Sequence, residues 1–160
     1  MSSLPPPSPM EARLLDASRS GLFCAQPTAI SRAVGALGDS DFRLVELDIK
    51  GARDRATLLQ AFALAFEFPA TFGHNLDALG DSLGDLSWLP AGGYLLVLSG
   101  CAKPIEHCKA DFDAIIEVLE RASTGNVPTG WARRVFWALL EAGFDALLQD
   151  NLPRHQIVDA

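Results

Sequence analysis

The segment GYLLVLSG, Gly93 to Gly100, limits the fold of this chain more than any other stretch. Its apolar run, Tyr94 to Leu98, is bordered by glycines and has no polar face, so it reads as a strand buried on both sides. Such a strand lies inside a sheet with helices above and below. The other runs agree. Phe42 to Ile49, FRLVELDI, is rich in β-formers and alternates in its second half. Val135 to Leu140, VFWALL, is another buried strand, and Gly21 to Cys24, GLFC, is a short one. Helical patterns separate them. One covers Thr28 to Leu37 and stops at Gly38; a second covers Thr57 to Phe66, with Leu58, Leu59, Phe62 and Phe66 on one face. A third, Ala110 to Ala122, has Phe112, Ile115, Ile116 and Leu119 as its apolar side. Strands alternating with helices predict an α/β fold: a small parallel β-sheet of three or four strands with helices packed on it.

The chain has 160 residues, of which 49% are hydrophobic, enough for one domain with a proper core. That domain is expected over 11–145, with a weak helix at Glu11 to Ser18. The tail 1–10, MSSLPPPSPM, is too rich in proline to form an element, and 146–160 reads as a C-terminal tail. A net charge of −7 argues against nucleic acid or an anionic membrane as partner and favours a basic protein. The start has no signal-peptide pattern, and no apolar run reaches the ~18 residues of a membrane span. A cytoplasmic location is expected. Cys24, Cys101 and Cys108 have no metal-ligand spacing and read as thiols in a reducing compartment. With no nucleophile elbow, P-loop or GxGxxG in the chain, no enzymatic activity and no cofactor are expected. Nothing in the sequence bears on oligomeric state.

From Ala56 to Ala102 there is no lysine or arginine, and this window holds FPATFGHNLDALGDSLGDLSW, Phe68 to Trp88. Asp77, Asp81 and Asp85 recur at i, i+4 and i+8, which at about 100° per residue forms one helical stripe. Phe72, Leu76, Leu79, Leu83 and Leu86 form an apolar stripe roughly opposite. A helix from about Ala70 to Leu86 is expected. Exposed helices ordinarily relieve such acids with Lys or Arg at i+4. This one does not, which suits it to a positive surface on another molecule.

Other residues of the segment carry readings of their own. His74, Asp77 and Asp81 at i, i+3 and i+7 could supply three ligands to a divalent metal and so a hydrolytic site, although no second cluster completes it. Asn75 near a helix start can fix the preceding loop by bonding its backbone. Gly73 would permit a turn that other residues resist. Gly80 and Gly84 each cost a helix about 1 kcal/mol relative to alanine. Gly80 reads as tolerated on an exposed face, with close approach by a partner as the alternative. Trp88 is the tryptophan near enough in sequence to border the acidic surface.

FPATFGHNLDAL followed by a further Asp resembles the signature of the barstar family of ribonuclease inhibitors. The resemblance rests on Pro69, Phe72, Gly73, Asn75, Leu76, Asp77, Ala78, Leu79, Asp81 and Leu83, and the order of elements over Phe42 to Leu140 agrees with it. The N-terminal strand and helix resemble those of longer bacterial members. The resemblance implies an inhibitor that inserts its acidic helix and the loop before it into the cleft of a basic ribonuclease, of secreted or toxin type. Its carboxylates would take the places of substrate phosphates, with Asp77 and Asp81 central and Asp81 deepest. A carboxylate matches arginine geometry, and charge complementarity speeds encounter, a rule that this family's own inhibitor–nuclease pair exemplifies. The binding surface so implied comprises Thr71, Phe72, Gly73, His74, Asn75, Asp77, Gly80, Asp81 and Asp85. The family pattern has two tyrosines where this chain has Thr71 and Phe72, and a tryptophan where it has Gly80. A glutamate contact from the later helix falls near Arg121, with Glu117 and Glu120 close by. An adaptor that keeps the scaffold but meets another basic protein is the alternative function.

Overall fold

The computed structural model describes residues 22–25, 27–37, 41–123 and 135–141. Tails 1–10 and 146–160 and the helix expected at Glu11 to Ser18 lie outside the described residues. Four strands, β1 (Leu22–Ala25), β2 (Phe42–Asp48), β3 (Gly93–Ser99) and β4 (Val135–Glu141), form one sheet in the order β1-β4-β3-β2. Every neighbouring pair is parallel. The helices are α1 (Pro27–Ala36), α2 (Arg55–Ala65), α3 (Leu76–Asp85) and α4 (Ala102–Ser123). β1 to β2 crosses the sheet in one direction, and the next two connections run back. Right-handed crossovers therefore set α1 on one face and α2, α3 and α4 on the other.

Register explains the core. Val45 lies opposite Leu96 and Leu96 opposite Ala138; Leu47 lies opposite Leu98 and Leu98 opposite Leu140. All six are buried, and they meet Leu58, Leu59, Phe62, Leu79, Leu83, Phe112, Ile115 and Leu119 from the three helices. Burial of each large side chain is worth roughly 1.5–3 kcal/mol. Central β3 is buried from Gly93 to Leu98, as its continuous apolar run requires. β2, at the sheet edge, buries Val45 and Leu47 and exposes Leu44 and Glu46, which is why its sequence alternates. The buried Tyr94 hydroxyl donates to the Leu89 carbonyl at 2.6 Å, so this polar group is satisfied inside the core.

Three helix boundaries depart from the sequence expectation. α2 begins at Arg55, because Asp54 caps it: the Asp54 side chain accepts from the Thr57 amide, and the Thr57 hydroxyl accepts from the Asp54 amide. α3 begins at Leu76, six residues after the expected start (76 against 70), because Asn75 caps it. α4 begins at Ala102, well before Ala110; Pro104 falls in its first turn, where a missing N–H costs nothing. Its helical path breaks once, at Cys108 (φ −148°, ψ 54°).

Candidate partner-binding surface

The surface is built from the end of α2, the loop 66–75 and α3. α2 terminates in a paired-bond motif: the Phe68 amide donates to the Ala63 carbonyl at 2.9 Å and the Glu67 amide to Leu64 at 3.4 Å. This termination needs a left-handed residue, usually glycine, and here Glu67 takes that place at φ 54°. Glu67 also pairs with Arg43 at 3.1 Å. The loop then folds over an aromatic series. Phe62 stacks on Phe66, Phe66 on Phe68, and Phe68 touches Phe72 at 4.8 Å between ring centres. Trp88 meets Phe68 edge-on and donates its indole N–H to the Phe66 carbonyl at 2.9 Å. Trp88 is thus half-buried and fastens the loop from the far end of α3.

At the loop's exit, the Asn75 side-chain oxygen accepts from the Ala78 amide at 2.7 Å, and its amide group donates to the Gly73 carbonyl at 3.3 Å. The structural reading of Asn75 holds: one side chain starts α3 and ties down the Gly73 carbonyl two residues earlier. The left-handed residue of this turn is His74 (φ 51°), not Gly73. Gly73 matters through space. A Cβ there would lie 3.2 Å from the Asn75 amide nitrogen and press on the cap.

Asp77 and Asp81 are exposed on α3, and among the described residues no Lys, Arg or His forms an ion pair with either. Asp85 differs: it is half-buried and is not free of interactions. The unpartnered stripe is therefore two carboxylates long. Opposite them Leu79 and Leu83 enter the core. Phe72 and Leu86, expected on the same helical stripe, are buried too but lie outside the helix, Phe72 in the loop and Leu86 as a left-handed cap (φ 50°). Gly80 is half-buried at the seam with α4, where a Cβ would sit 3.8 Å from Val118. The expectation of an exposed face for Gly80 is corrected by this packing. Thr71, Gly73, His74 and Asn75 are exposed, whereas the Phe72 ring points inward. On α4, Glu117 and Arg121 are exposed and Glu120 is half-buried.

The metal reading fails on geometry. His74 precedes the cap of α3, so it shares no helical face with Asp77 and Asp81. Its Nδ1 lies 3.0 Å from the Phe72 carbonyl oxygen and its Nε2 3.2 Å from Gln60 Oε1. No cluster of three metal-ligating side chains occurs among the described residues. Cys101 is buried and Cys108 half-buried, both as free thiols; burial, with Asp111 and Asp54 nearby, pushes the Cys108 thiol above its ordinary range, which disfavours a reactive thiolate. No helix of the described residues is long and apolar enough to cross a membrane.

An exposed acidic α3 behind a capped, glycine-containing loop coincides with a sequence match: residues 42–141 fit the family described as barstar, the barnase inhibitor. The chain belongs to the barstar family. β1 and α1 precede the matched region and extend the barstar-type unit by one edge strand and one helix. A second similarity is local. The HTH-type transcriptional repressor LfrR of Mycolicibacterium smegmatis is 64% identical over 50 residues, 30% of this chain and 26% of the repressor. The chain thus spans about a quarter of the length of that curated relative. Among solved structures, the Aeropyrum pernix ORC2 protein in its ADP form superposes with a TM-score of 0.60 at 14% identity, over 90% of this chain and 42% of that one. Its ADPNP-ADP complexes give 0.58 at 15%, over 84% and 38%. At such identity the likeness is one of fold alone.

Proposed function

We propose that this barstar-family chain is a non-enzymatic cytoplasmic inhibitor of a small basic ribonuclease, of secreted or toxin type. It binds through α3 and the loop before it and fills the nuclease active site. One observation carries the reading: Asp77 and Asp81 stand exposed on one face of α3 with no cation of the described residues against them. Two carboxylates one helical turn apart offer a row of acceptors to the arginines and lysines that such a nuclease uses to hold substrate phosphates. Asp81, in the middle of the helix, projects furthest from capping and core duties and is the phosphate mimic. Thr71, Gly73, His74 and Asn75 border it, Asp85 extends the rim, and Phe72 supports the loop from below.

The test is a titration of small basic microbial ribonucleases with the purified protein, following RNA hydrolysis. Stoichiometric loss of activity is expected, abolished by Asp81→Ala and slowed in onset as salt rises, since exposed charges are screened. A nuclease panel untouched at micromolar protein would overturn inhibition.

A second reading has its own support. The family's tryptophan is here Gly80, which packs toward Val118, and aromatic anchors of that kind carry much of an interface's energy. An adaptor using the same carboxylates on another basic protein fits that change, and the local match to a transcriptional repressor is compatible with it.

A further inference from the structure

The geometry points to Gln60 as a positioning residue for partner recognition, acting through His74 to hold the loop 67–75 in its binding shape. The inference rests on the proposed use of this loop and of α3. Two non-glycine residues bracket the loop in the left-handed region, Glu67 (φ 54°) and His74 (φ 51°). Such residues persist only where their surroundings hold them, and they concentrate at binding sites. Glu67 is held by the end of α2 and by Arg43. His74 is held by its own ring. The ring packs on Phe72 at 4.8 Å between centres, its Nδ1 faces the Phe72 carbonyl at 3.0 Å, and its Nε2 faces Gln60 at 3.2 Å.

The choice of partner at position 60 follows from hydrogen-bond chemistry. Nδ1 faces a carbonyl oxygen and must be the donor there. A neutral ring then presents a lone pair on Nε2, and an imidazolium presents a proton. A glutamine amide carries both a donor and an acceptor, so it satisfies either form by turning over. Gln60 lies on α2, outside the loop and well removed in sequence from α3 (60 against 76–85). Its exposed side chain therefore bridges a rigid helix to the strained residue next to the Asn75 cap. Without the bridge, the loop carbonyls and the first turn of α3 lose their fixed aim, and Asp77 and Asp81 lose theirs with it.

The experiment compares Gln60→Ala, Gln60→Leu and His74→Gly with the native full-length protein. Hydrogen exchange resolved by NMR reads the free protein, and titration against the inhibited ribonuclease reads recognition. Loss of one net hydrogen bond shifts a local opening equilibrium by roughly five-fold. Amides from Phe72 to Ala78 should exchange about five-fold faster in both Gln60 variants through local opening. The urea midpoint should fall by no more than the loss of that one bond, because a bond made only in the folded state counts against every more open state. His74→Gly should show the same loosening although it relieves the backbone strain. Affinity should fall by at most about five-fold, the fraction lost from the competent state. The Nε2 resonance of His74 should move in both Gln60 variants, which reports the loss of the bond itself; an unmoved resonance would mean that Gln60 does not hold the ring and would overturn the latch. Unchanged exchange at Phe72 to Ala78 overturns the latch whatever the nuclease result. If the loop loosens but Asp81→Ala still inhibits fully, the latch stands and the proposed use of α3 falls.

Discussion

Replacing Asp81 by alanine separates stability from recognition because the two should move in opposite directions. Asp81 is exposed in the interior of α3 and makes no ion pair with a described residue. Removing it trades a poor helix former for the best one, a gain of up to about 0.7 kcal/mol. It also removes the i, i+4 repulsion with Asp77, about 0.2–0.5 kcal/mol, and that with Asp85, which is smaller because Asp85 is engaged elsewhere. The sum is a stabilisation of about 0.5–1.5 kcal/mol, or roughly 2–5 °C in Tm for a domain of this size. Urea unfolding followed by tryptophan fluorescence should show a higher midpoint with an unchanged slope. In high salt the part due to repulsion should fade and the propensity part remain. Binding to a basic ribonuclease should weaken by several kcal/mol, since the cations of the cleft would be buried without a counter-charge. A variant destabilised by more than about 1 kcal/mol would refute the reasoning, because it would mean that Asp81 already has a partner within its own chain.

Three other perturbations test the local physics. Asn75→Ala removes the cap of α3 and should cost about 1 kcal/mol by urea denaturation, with faster exchange at Ala78 as the local mark. Glu67→Gly relieves a left-handed residue at the end of α2 and gives up only an exposed pair with Arg43; thermal unfolding should show a gain of about 0.5–1 kcal/mol. The Asp54 carboxyl is held below its ordinary 3.8 by the Thr57 amide, with the Thr57 hydroxyl helping. Its contribution is thus full above the ordinary value and is lost as pH falls through the lowered one. Asp54→Asn keeps an oxygen on the Thr57 amide but cannot titrate, so the acid limb of its stability–pH profile should be shallower than that of the native protein.

The sheet was legible because burial on two faces leaves an unambiguous mark. Tyr94 to Leu98 could be placed as a central strand from its lack of any polar residue, and the alternation in β2 marks a strand with one covered face. Helix starts were less legible, since capping is carried by single side chains whose partners are backbone amides. Asp54 with Thr57 three residues on is a readable cap, but the apolar pattern starts later, at Leu58, and draws the boundary with it. Pro104 has the opposite effect. A proline suggests the absence of helix, yet in the first turn of α4 it replaces an amide that no carbonyl would have accepted.

The candidate site was legible in its charges and not in its loop, for a reason that the apolar rhythm makes plain. Phe72, Leu76, Leu79, Leu83 and Leu86 are spaced like one helical face. Burial at both ends of that series is real, and helicity there is not: Phe72 reaches the core from the loop and Leu86 from a left-handed cap. A hydrophobic spacing reports which side chains face inward, and different backbones can satisfy it. Gln60 left no trace at all, because an exposed glutamine on a helix has no pattern to break, and its contact with His74 spans 14 positions. The carboxylates are another matter. Asp77 near the start of α3 is favoured by the helix dipole, but Asp81 gains nothing from it and Asp85 at the final residue opposes it. Folding alone would place a lysine or arginine in that last turn, and α3 has none. Asp85 has an interaction of its own within the chain, so the carboxylates left for the proposed basic partner are Asp77 and Asp81, exposed on one face and without an ion pair among the described residues.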